Sequence, residues 1–375
     1  MVFYLTYNDA YSGIYSSQVI DVVRFLNVEL NQKIKLVAIV SLRIFFNERL
    51  KIKNEFPDAI ILPMFPGINR WRKNSFLLWF VTRLRKPSVI IGRSVIATQL
   101  ALIMKDRKLV KKVIYDGRGA ITEEWREYGV VENKQMLKDI FDLECRTVLS
   151  SDSQIAVSEK LVQYWRNKFG YIAKTYVLIP CTLNNIYQEA IISDEKIIHS
   201  RKQLNLSPQD TLFIYSGSIA GWQSFNLLYN FAKLLLEKNI HVKLLFLTGN
   251  SEDIIKLQKD FPGRILWRNV PVKHVPEYLI AGDYGLLIRE ETLTNNVASP
   301  VKFAEYLACG LKVIISKNLG DYSHFVKQNR CGQMVEEFNV ITRTNLNERL
   351  RNQKLAQQNF TKSRFTDAYR KILVN

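Results

Sequence analysis

The chain has 375 residues, 47% of them hydrophobic, a length that suits two domains of ordinary size and argues against a single core. Lys and Arg number 53 against 35 Asp and Glu, and the formal net charge of +18 favours phosphate-bearing partners such as anionic lipid, a lipid pyrophosphate or nucleic acid. The four cysteines are far apart and have no histidine cluster beside them, which argues against disulfides and a metal site and favours a reducing cytoplasm.

The first half of the chain alternates short apolar runs with helical patterns, which predicts a parallel, doubly wound α/β sheet. Residues 2–6 form the first predicted strand, and a loop containing Gly13 leads to a helix that Ser16 and Ser17 cap and that continues to residue 28. No apolar run approaches the ~20 residues that span a bilayer, and the first residues lack the basic segment of a signal peptide. The further predicted strands are 35–40, 59–62, 89–92, 113–116 and a last one that begins near residue 151.

Residues 69–86 combine aromatic and aliphatic side chains with basic residues at both ends. They belong to a segment, 49–112, with fifteen Lys or Arg and three acidic residues, which therefore carries two-thirds of the net charge. One interpretation is a helix in a membrane interface, with Phe76 and Phe80 among the inserted rings. The other is an ordinary helix that packs on the sheet. The residues assigned to membrane or acceptor contact are Trp71, Arg72, Lys73, Trp79, Arg83 and Arg85.

Asp116 and Arg118 follow a predicted strand on a loop that contains two glycines. The carboxyl edge of a parallel sheet is where substrate-facing residues lie, so both side chains are candidates for substrate contact. A local ion pair between the two is the alternative.

A polar stretch, 184–207, is expected to be irregular and to separate two domains, which are predicted as 1–190 and 191–354. Residues 177–182 are interpreted as the approach to this linker. The second domain opens with a strand at residue 211 and a loop in which Gly217 lets the backbone approach a phosphate and Ser218 can donate a hydrogen bond.

The stretch 295–310 predicts a short helix with both ends marked in the sequence. Ser299 suits the N-cap, Pro300 suits the first helical residue because its missing N–H costs nothing there, and Gly310 suits the left-handed residue after the end.

Buried strands are predicted on either side of this helix, and the first of them, 284–288, ends at Arg289. The helix N-terminus would then face the crevice where α/β sheets hold ligands, and the amides of Val301 and Lys302 would bind an anion such as phosphate. Glu305, one turn further on, either binds a pair of ribose hydroxyls or faces solvent.

The run Ser-Pro-Val-Lys-Phe-Ala-Glu-Tyr-Leu-Ala-Cys-Gly, which begins at Ser299, resembles the donor-binding motif of the retaining GT-B glycosyltransferases of family 4. The resemblance implies two Rossmann-like domains facing across a cleft, a terminal helix of about residues 355–375 that returns to the first domain, and no metal or other cofactor. It also implies that Val270 lies at the base-reading turn and that the loops with Gly13 and Asp116 touch donor or acceptor. The implied catalytic residues are Arg289, Lys302, Asp116 and Arg118.

One departure from the family pattern concerns a pair of glutamates with seven residues between them. The second corresponds to Glu305, but the first would stand where this chain has Val297. The side chains that can replace the missing carboxylate are Glu290, Glu291, Asn295 and Asn296.

The resemblance and the charge together predict a cytoplasmic, membrane-peripheral glycosyltransferase that moves a sugar from a UDP- or GDP-sugar to a lipid-linked or saccharide acceptor in surface polysaccharide or glycolipid synthesis. An anionic membrane surface is an expected partner and nucleic acid is not. The alternatives are a GT-B sugar-nucleotide epimerase, a catalytically silent nucleotide-binding protein and a nucleic-acid-binding protein.

Overall fold

The computed structural model describes residues 1–172, 175–249 and 251–374 and confirms the predicted fold of two parallel, doubly wound sheets. The chain forms two compact units. Unit 1 comprises Met1–Thr182 and the residues from Lys362 on, and unit 2 comprises Leu183–Thr361. The units therefore change after residues 182 and 361, where the sequence places the changes after 190 and 354.

Unit 1 is built on a seven-stranded parallel sheet with the order β3-β2-β1-β4-β5-β6-β7. All six residues of its first strand are buried, as expected of a strand covered on both faces. The strands are β1 Val2–Tyr7, β2 Ile34–Ser41, β3 Ile60–Met64, β4 Val89–Arg93, β5 Lys112–Gly117, β6 Ser153–Ala156 and β7 Tyr176–Leu178.

Helices cover this sheet, and short 3-10 helices at Leu42–Ile44, Ile68–Asn74 and Lys362–Phe365 and a π-helix at Ser16–Ile20 join them. The α-helices are α1 Gly13–Tyr15, α2 Asp21–Glu29, α3 Phe45–Glu55, α4 Ser75–Arg85, α5 Ser94–Asp106, α6 Ile121–Glu127, α7 Lys134–Ser150, α8 Glu159–Phe169 and, at the end of the chain, α18 Thr366–Val374. Tyr369 and Ile372 of α18 are buried in the core of unit 1.

Unit 2 has a six-stranded parallel sheet with the order β10-β9-β8-β11-β12-β13. Its strands are β8 Thr211–Ser216, β9 Val242–Leu247, β10 Ile265–Arg268, β11 Tyr284–Leu287, β12 Lys312–Ile315 and β13 Gly332–Met334. Its α-helices are α9 Asn185–Gln188, α10 Asp194–Gln203, α11 Phe225–Lys238, α12 Glu252–Asp260, α13 Val275–Leu279, α14 Leu293–Val297, α15 Val301–Ala308, α16 Gly320–Asn329 and α17 Leu346–Phe360. Its 3-10 helices are Gly221–Gln223, Val272–His274 and Val335–Glu337.

The strand order reverses once in each sheet, between β1 and β4 in unit 1 and between β8 and β11 in unit 2. Ligands of open α/β sheets bind outside the carboxyl ends of the strands at such a reversal. In unit 2, Gly217 directly follows β8 and Arg289 follows β11 after one intervening residue. The fold therefore places these two predicted site residues at the reversal point.

Three predictions about local structure are wrong. The first helix does not begin at Ser16 and Ser17, because Ser12 caps it and Gly13 is its first residue. The last strand of unit 1 is not the one near residue 151, since the supposed approach to the linker forms β7 beside β6. The stretch 184–207 is not irregular, because Ser193 caps α10 by accepting a hydrogen bond from the Lys196 amide.

Within the described residues, no helix combines the length and the apolar character that crossing a membrane requires.

Candidate functional site

The helix α15 begins one residue later than predicted. Pro300, at φ −71° and ψ 113°, has an extended backbone and occupies the N-cap, so Val301 is the first helical residue. Ser299 is therefore not the N-cap, and its hydroxyl instead lies 2.5 Å from the Tyr322 hydroxyl. Among the described residues, no side-chain hydrogen bond caps the start of α15. The left-handed residue after the helix is Gly310, at φ +82°, as predicted.

Tyr306 fixes α15 against the strands on either side of the reversal point. Its hydroxyl accepts a hydrogen bond from the Ser216 amide of β8 at 2.9 Å and donates one to the Leu286 carbonyl of β11 at 3.3 Å. A β-carbon on Gly285 would lie 2.3 Å from the Tyr306 ring, so only glycine permits this close packing. The position of α15 relative to both strands is thus closely determined.

Two buried cations converge on one neutral amide in front of this helix. Lys302 Nζ donates to Gln223 Oε1 at 2.8 Å, and Arg289 Nη2 donates to the same oxygen at 3.1 Å. Both cationic residues are only 6% exposed. Among the described residues, no carboxylate lies within salt-bridge distance of Lys302. Buried charges are normally paired, so this arrangement favours an anionic ligand.

The environment of Lys302 disfavours the charged form of its side chain. Burial lowers the pKa of its ammonium group well below the usual value, and the neighbouring Arg289 guanidinium lowers it further, whereas Glu305 opposes both effects. The ring of Tyr215 lies under the ammonium group, with 4.3 Å between Nζ and the ring centroid. An anion bound here would stabilise the protonated lysine.

The loop after β8 brings backbone next to these cations. Gly217 adopts φ +140°, which favours glycine, and a β-carbon at this position would lie 2.7 Å from Lys302 Nζ. The following residue, Ser218, is exposed, and its carbonyl accepts a hydrogen bond from the Tyr215 hydroxyl. The loop therefore presents an open backbone surface beside the Lys302 ammonium group.

Glu305 is half-buried on α15, one turn from Lys302. Burial raises the pKa of its carboxyl to about 7, although Lys302 and the Tyr187 hydroxyl act in the opposite direction. Its carboxylate is therefore partly buried near the Lys302 ammonium group, and within the described residues no cation lies within salt-bridge distance of it.

The position of the missing glutamate, Val297, is a buried residue of α14. Of the four proposed replacements, Asn295 contacts one of these cations, since its Oδ1 accepts from Arg289 Nη1 at 3.4 Å and its Nδ2 donates to the Glu290 carbonyl at 3.1 Å. Glu291 is exposed and accepts from Asn318 at 2.7 Å. Asn295 and Gln223 therefore both accept hydrogen bonds from the Arg289 guanidinium.

Val270, the residue assigned to the base-reading turn, follows β10 and is half-buried against the core on which α15 also packs. In unit 2 the structure thus brings Gly217, Arg289, Val301, Lys302 and Glu305 together around one helix end.

Within unit 1, the predicted site residues Asp116 and Arg118 belong to a cluster of buried charged groups. Asp116 is fully buried and accepts hydrogen bonds from the Tyr4 hydroxyl and, at 2.9 Å, from Arg118 Nη2. Arg93 at the end of β4 is 3.8 Å from the same carboxylate and also pairs with Asp9 at 3.3 Å. The local ion pair that the sequence offered as the alternative is present, and Gly13 lies in α1 and not in a loop.

The basic and aromatic segment combines features of both of its interpretations. Trp71 and Trp79 pack against a core of unit 1. Phe76 and Phe80, one turn apart on α4, are 66% and 61% exposed. The cations of the segment are all exposed, namely Arg70, Arg72, Lys73, Arg83, Arg85 and Lys86.

Sequence reasoning missed three residues that belong to these clusters, namely Gln223, Tyr215 and Arg93. A weak signal for Gln223 existed, because it stands in the loop after β8 where the resembled family carries a cation. Arg93 directly follows a predicted strand, a position that in a parallel sheet faces the ligand edge. Tyr215 lies inside a strand and carries no such signal.

The sequence matches no protein-family profile and no curated protein. The structure is nevertheless similar to solved structures over its whole length. Sucrose-phosphate synthase from Thermosynechococcus elongatus superposes with a TM-score of 0.71 at 12% identity, covering 100% of this chain and 99% of that one. HepE from Anabaena in complex with UDP gives the same TM-score and identity, again covering 100% and 99% of the two chains. WaaG, a glycosyltransferase involved in lipopolysaccharide biosynthesis, gives 0.68 at 12% identity and covers 100% of both chains.

These similarities show that the chain has the GT-B fold. A putative UDP-N-acetylglucosamine 2-epimerase from Listeria monocytogenes fits less closely, with a TM-score of 0.57 at 12% identity, and covers 98% of this chain and 93% of that one.

Proposed function

We propose that the chain is a retaining glycosyltransferase of the family 4 type, which binds a nucleotide-sugar donor in unit 2. The observation that carries the proposal is the convergence of Arg289 and Lys302 on Gln223 Oε1 beside the uncapped end of α15. Two buried cations next to free helix amides are suited to a diphosphate. The likeness to HepE, whose structure is a complex with UDP, supports the same assignment.

In this proposal the diphosphate rests on the Arg289 and Lys302 side chains and on the amides of Val301 and Lys302, with Gly217 leaving room for it. Glu305 accepts hydrogen bonds from the ribose hydroxyls, and the turn at Val270 contacts the base. The donor base is uracil or guanine, as the resemblance implies. Apart from Val270, these roles use groups that already lie around one helix end.

The chemical step transfers the sugar to an acceptor hydroxyl. The bond between the anomeric carbon and the diphosphate oxygen breaks, the acceptor oxygen bonds to the same face of that carbon, and the acceptor proton passes to the departing phosphate. Arg289 and Lys302 stabilise the negative charge that grows on the leaving oxygen, and each such preorganised donor contributes about 2.7–4 kcal/mol in other enzymes. No protein nucleophile is required.

The proposed acceptor is a lipid-linked or saccharide molecule bound by unit 1, and surface polysaccharide or glycolipid synthesis is the proposed context. The exposed rings of Phe76 and Phe80 and the surrounding cations support peripheral contact with an anionic membrane on the cytoplasmic side.

A thermal-shift screen with UDP, GDP and their sugars tests the donor site. We expect one nucleotide series to raise the melting temperature, since a ligand at 100 times its dissociation constant stabilises by about 2.7 kcal/mol. Lys302→Gln should abolish the shift, and Lys238→Gln, at an exposed position on α11, should retain it. Failure of every nucleotide to shift the wild-type melting temperature contradicts the proposal.

A second assay separates the proposed transferase from its alternatives. The stabilising nucleotide-sugar is incubated with the protein, with and without extracted glycolipid or oligosaccharide acceptors, and the products are resolved by mass spectrometry. Transfer that depends on acceptor supports the proposal. Conversion of the free nucleotide-sugar without acceptor identifies an epimerase, and binding without either reaction identifies a silent nucleotide-binding protein.

A further inference from the structure

Unit 1 contains a pocket of about 540 Å³ at the carboxyl ends of β1, β2 and β3. Asn8 follows β1, Ser41 ends β2, and the far wall is the segment after β3, which includes Gly67 and Arg70. The volume lies within the range of about 300–1,000 Å³ that small-molecule sites occupy. None of the roles proposed above uses this pocket.

The charge of the pocket has a single sign. Among the described residues that line it, Arg43 and Arg70 are the charged ones and none is a carboxylate. Both arginines are exposed, and within the described part of the chain neither guanidinium has an ion pair or a hydrogen bond. Their donors are therefore available to a ligand, and a guanidinium matches the geometry of phosphate oxygens.

The wall that carries Arg70 is held in place by the protein itself. Asn74 is 1% exposed, accepts a hydrogen bond from the Phe65 amide at 2.8 Å, and donates to the Pro66 carbonyl at 3.0 Å and to the Tyr7 hydroxyl at 3.2 Å. This buried amide links the segment after β3 to β1. The backbone of this wall is thus preformed, which limits the ordering that binding requires.

A neighbouring pocket of about 620 Å³ shares Arg70 but has a different character. Asp139 and Asp142 line it together with the cations Arg70, Arg72, Lys73 and Arg146, so its charges are mixed in sign and the carboxylates compensate part of the positive charge. Among the described residues, the pocket with Arg43 is lined by cations and by no carboxylate, and this distinguishes it from its neighbour.

We propose that the pocket between Arg43 and Arg70 binds the anionic group of the acceptor, a phosphate or diphosphate ester. The term acceptor rests on the proposed function, whereas the binding of a phosphate ester does not. The pocket has more room than a phosphate needs, and its apolar lining by Met64 and Ile68 suits the organic part of an ester. The segment that carries Arg70 leads directly into α4 with its exposed Phe76 and Phe80, which favours a prenyl chain as that part.

Calorimetric titration of the full chain with geranyl diphosphate, and separately with inorganic pyrophosphate, tests this proposal. The titrations are done in the Lys302→Gln background, so that the cations of unit 2 do not compete for the probe. Arg43→Gln and Arg70→Gln should each weaken binding about tenfold. Arg49→Gln, an exposed position on α3 outside the pocket, should leave the affinity unchanged.

A steric variant tests the pocket without removing charge. Gly67 has φ −61° and no atom within 4 Å of where its β-carbon would lie, so Gly67→Leu should fold normally and fill part of the pocket. We expect it to weaken geranyl diphosphate binding about tenfold while both arginines are kept. Tighter binding of geranyl diphosphate than of pyrophosphate identifies a lipid-linked ester, and equal binding identifies the phosphate alone as the recognised group.

Two results would overturn the inference: no binding of either probe, or an equal loss of affinity in Arg49→Gln, which would indicate a diffuse basic surface. A failure of the pocket proposal can be distinguished from a failure of the donor-site proposal. Nucleotide-dependent stabilisation of the wild-type protein tests unit 2, and it should persist in Arg43→Gln. If nucleotides fail to bind but pyrophosphate binding still requires Arg43 and Arg70, the pocket stands and the transferase proposal does not.

Discussion

The ammonium group of Lys302 lies 2.7 Å from the point where a β-carbon of residue 217 would stand, so no residue larger than glycine fits at position 217 unless Lys302 moves. This contact joins the loop after β8 to the first turn of α15. It makes the backbone at Gly217 part of the same surface as the buried cations.

The first prediction concerns Gly217→Ala. The φ of +140° strains an alanine, and its β-carbon displaces Lys302, so we expect a stability loss of about 1 kcal/mol or more and at least a tenfold loss of nucleotide affinity. Thermal shift with the nucleotide identified in the screen measures both. The control is Gly249→Ala, because Gly249 follows β9, has no positive φ and has open space around it. Equal nucleotide affinities of the two variants would show that Gly217 does not contribute to the site.

The second prediction is that Lys302→Met stabilises the protein while nucleotide binding is lost. A lysine whose pKa is lowered on folding binds fewer protons in the folded state, so it destabilises the fold at neutral pH and below, and this cost disappears as the pH rises. Replacing the buried charge by an apolar side chain should raise the free energy of unfolding by about 1–3 kcal/mol. Denaturant unfolding with and without nucleotide measures this. A destabilised variant would show that Lys302 is a structural residue.

The third prediction concerns the pH dependence that Glu305 introduces. Its pKa is raised from 4.5 to about 7 on folding, so its stabilising contribution is complete below the unfolded value and is lost as the pH rises through about 7. As the pH rises from about 4.5 to about 7, the free energy of unfolding of Glu305→Gln should therefore increase by about 1–3 kcal/mol relative to that of the wild type. Unfolding measured at a series of pH values checks the difference.

Ligand binding should show the opposite trend with pH. A carboxylate must be ionised to accept two ribose hydroxyls, so wild-type affinity for a nucleotide-sugar should fall as the pH drops below about 7, whereas Glu305→Gln should bind weakly at every pH. Parallel pH profiles for the two proteins would mean that Glu305 does not contact the ligand.

The fourth prediction concerns the buried carboxylate of unit 1. Asp116→Ala leaves Arg93 and Arg118 without their shared partner, so we expect a loss of about 3–5 kcal/mol. The matched control is Asp58→Ala, which removes an exposed ion pair with Lys35 and should change the unfolding midpoint little. Similar midpoints for both variants would show that the Asp116 cluster is not structural.

The fifth prediction is that the exposed rings of α4 anchor the protein to anionic lipid. Phe76→Ser with Phe80→Ser should reduce partitioning onto vesicles that contain phosphatidylglycerol about tenfold or more, because each ring loses its burial in the interface. The control is Ile198→Ser, an equally exposed apolar residue on α10 of unit 2. Co-sedimentation measures the partitioning, and unchanged binding of the double variant would contradict membrane contact by this helix.

Strands were the feature that the sequence predicted best, and β7 is the strand that it did not predict. The runs that became β1, β2, β4 and β11 are mainly apolar, because strands covered on both faces need few polar residues. The edge strand β7 has three residues and pairs on one side only, so its sequence carries little of this signal. The sequence did not predict helix α10 because most of its residues are polar and its amphipathic pattern is weak, although Ser193 is a good N-cap.

By itself the sequence determined two doubly wound sheets, the glycine that ends α15, the concentration of positive charge before residue 112, and the presence of Arg289 after a buried strand. Those features depend on local patterns of polarity and backbone preference. Only the tertiary structure decided that Ser299 and Tyr322 share a hydrogen bond and that Gln223 accepts from both Arg289 and Lys302. It alone also decided that Asp116 pairs with two arginines. The sheet order brings residues that are far apart in the chain to one edge, and no local pattern records which of them meet.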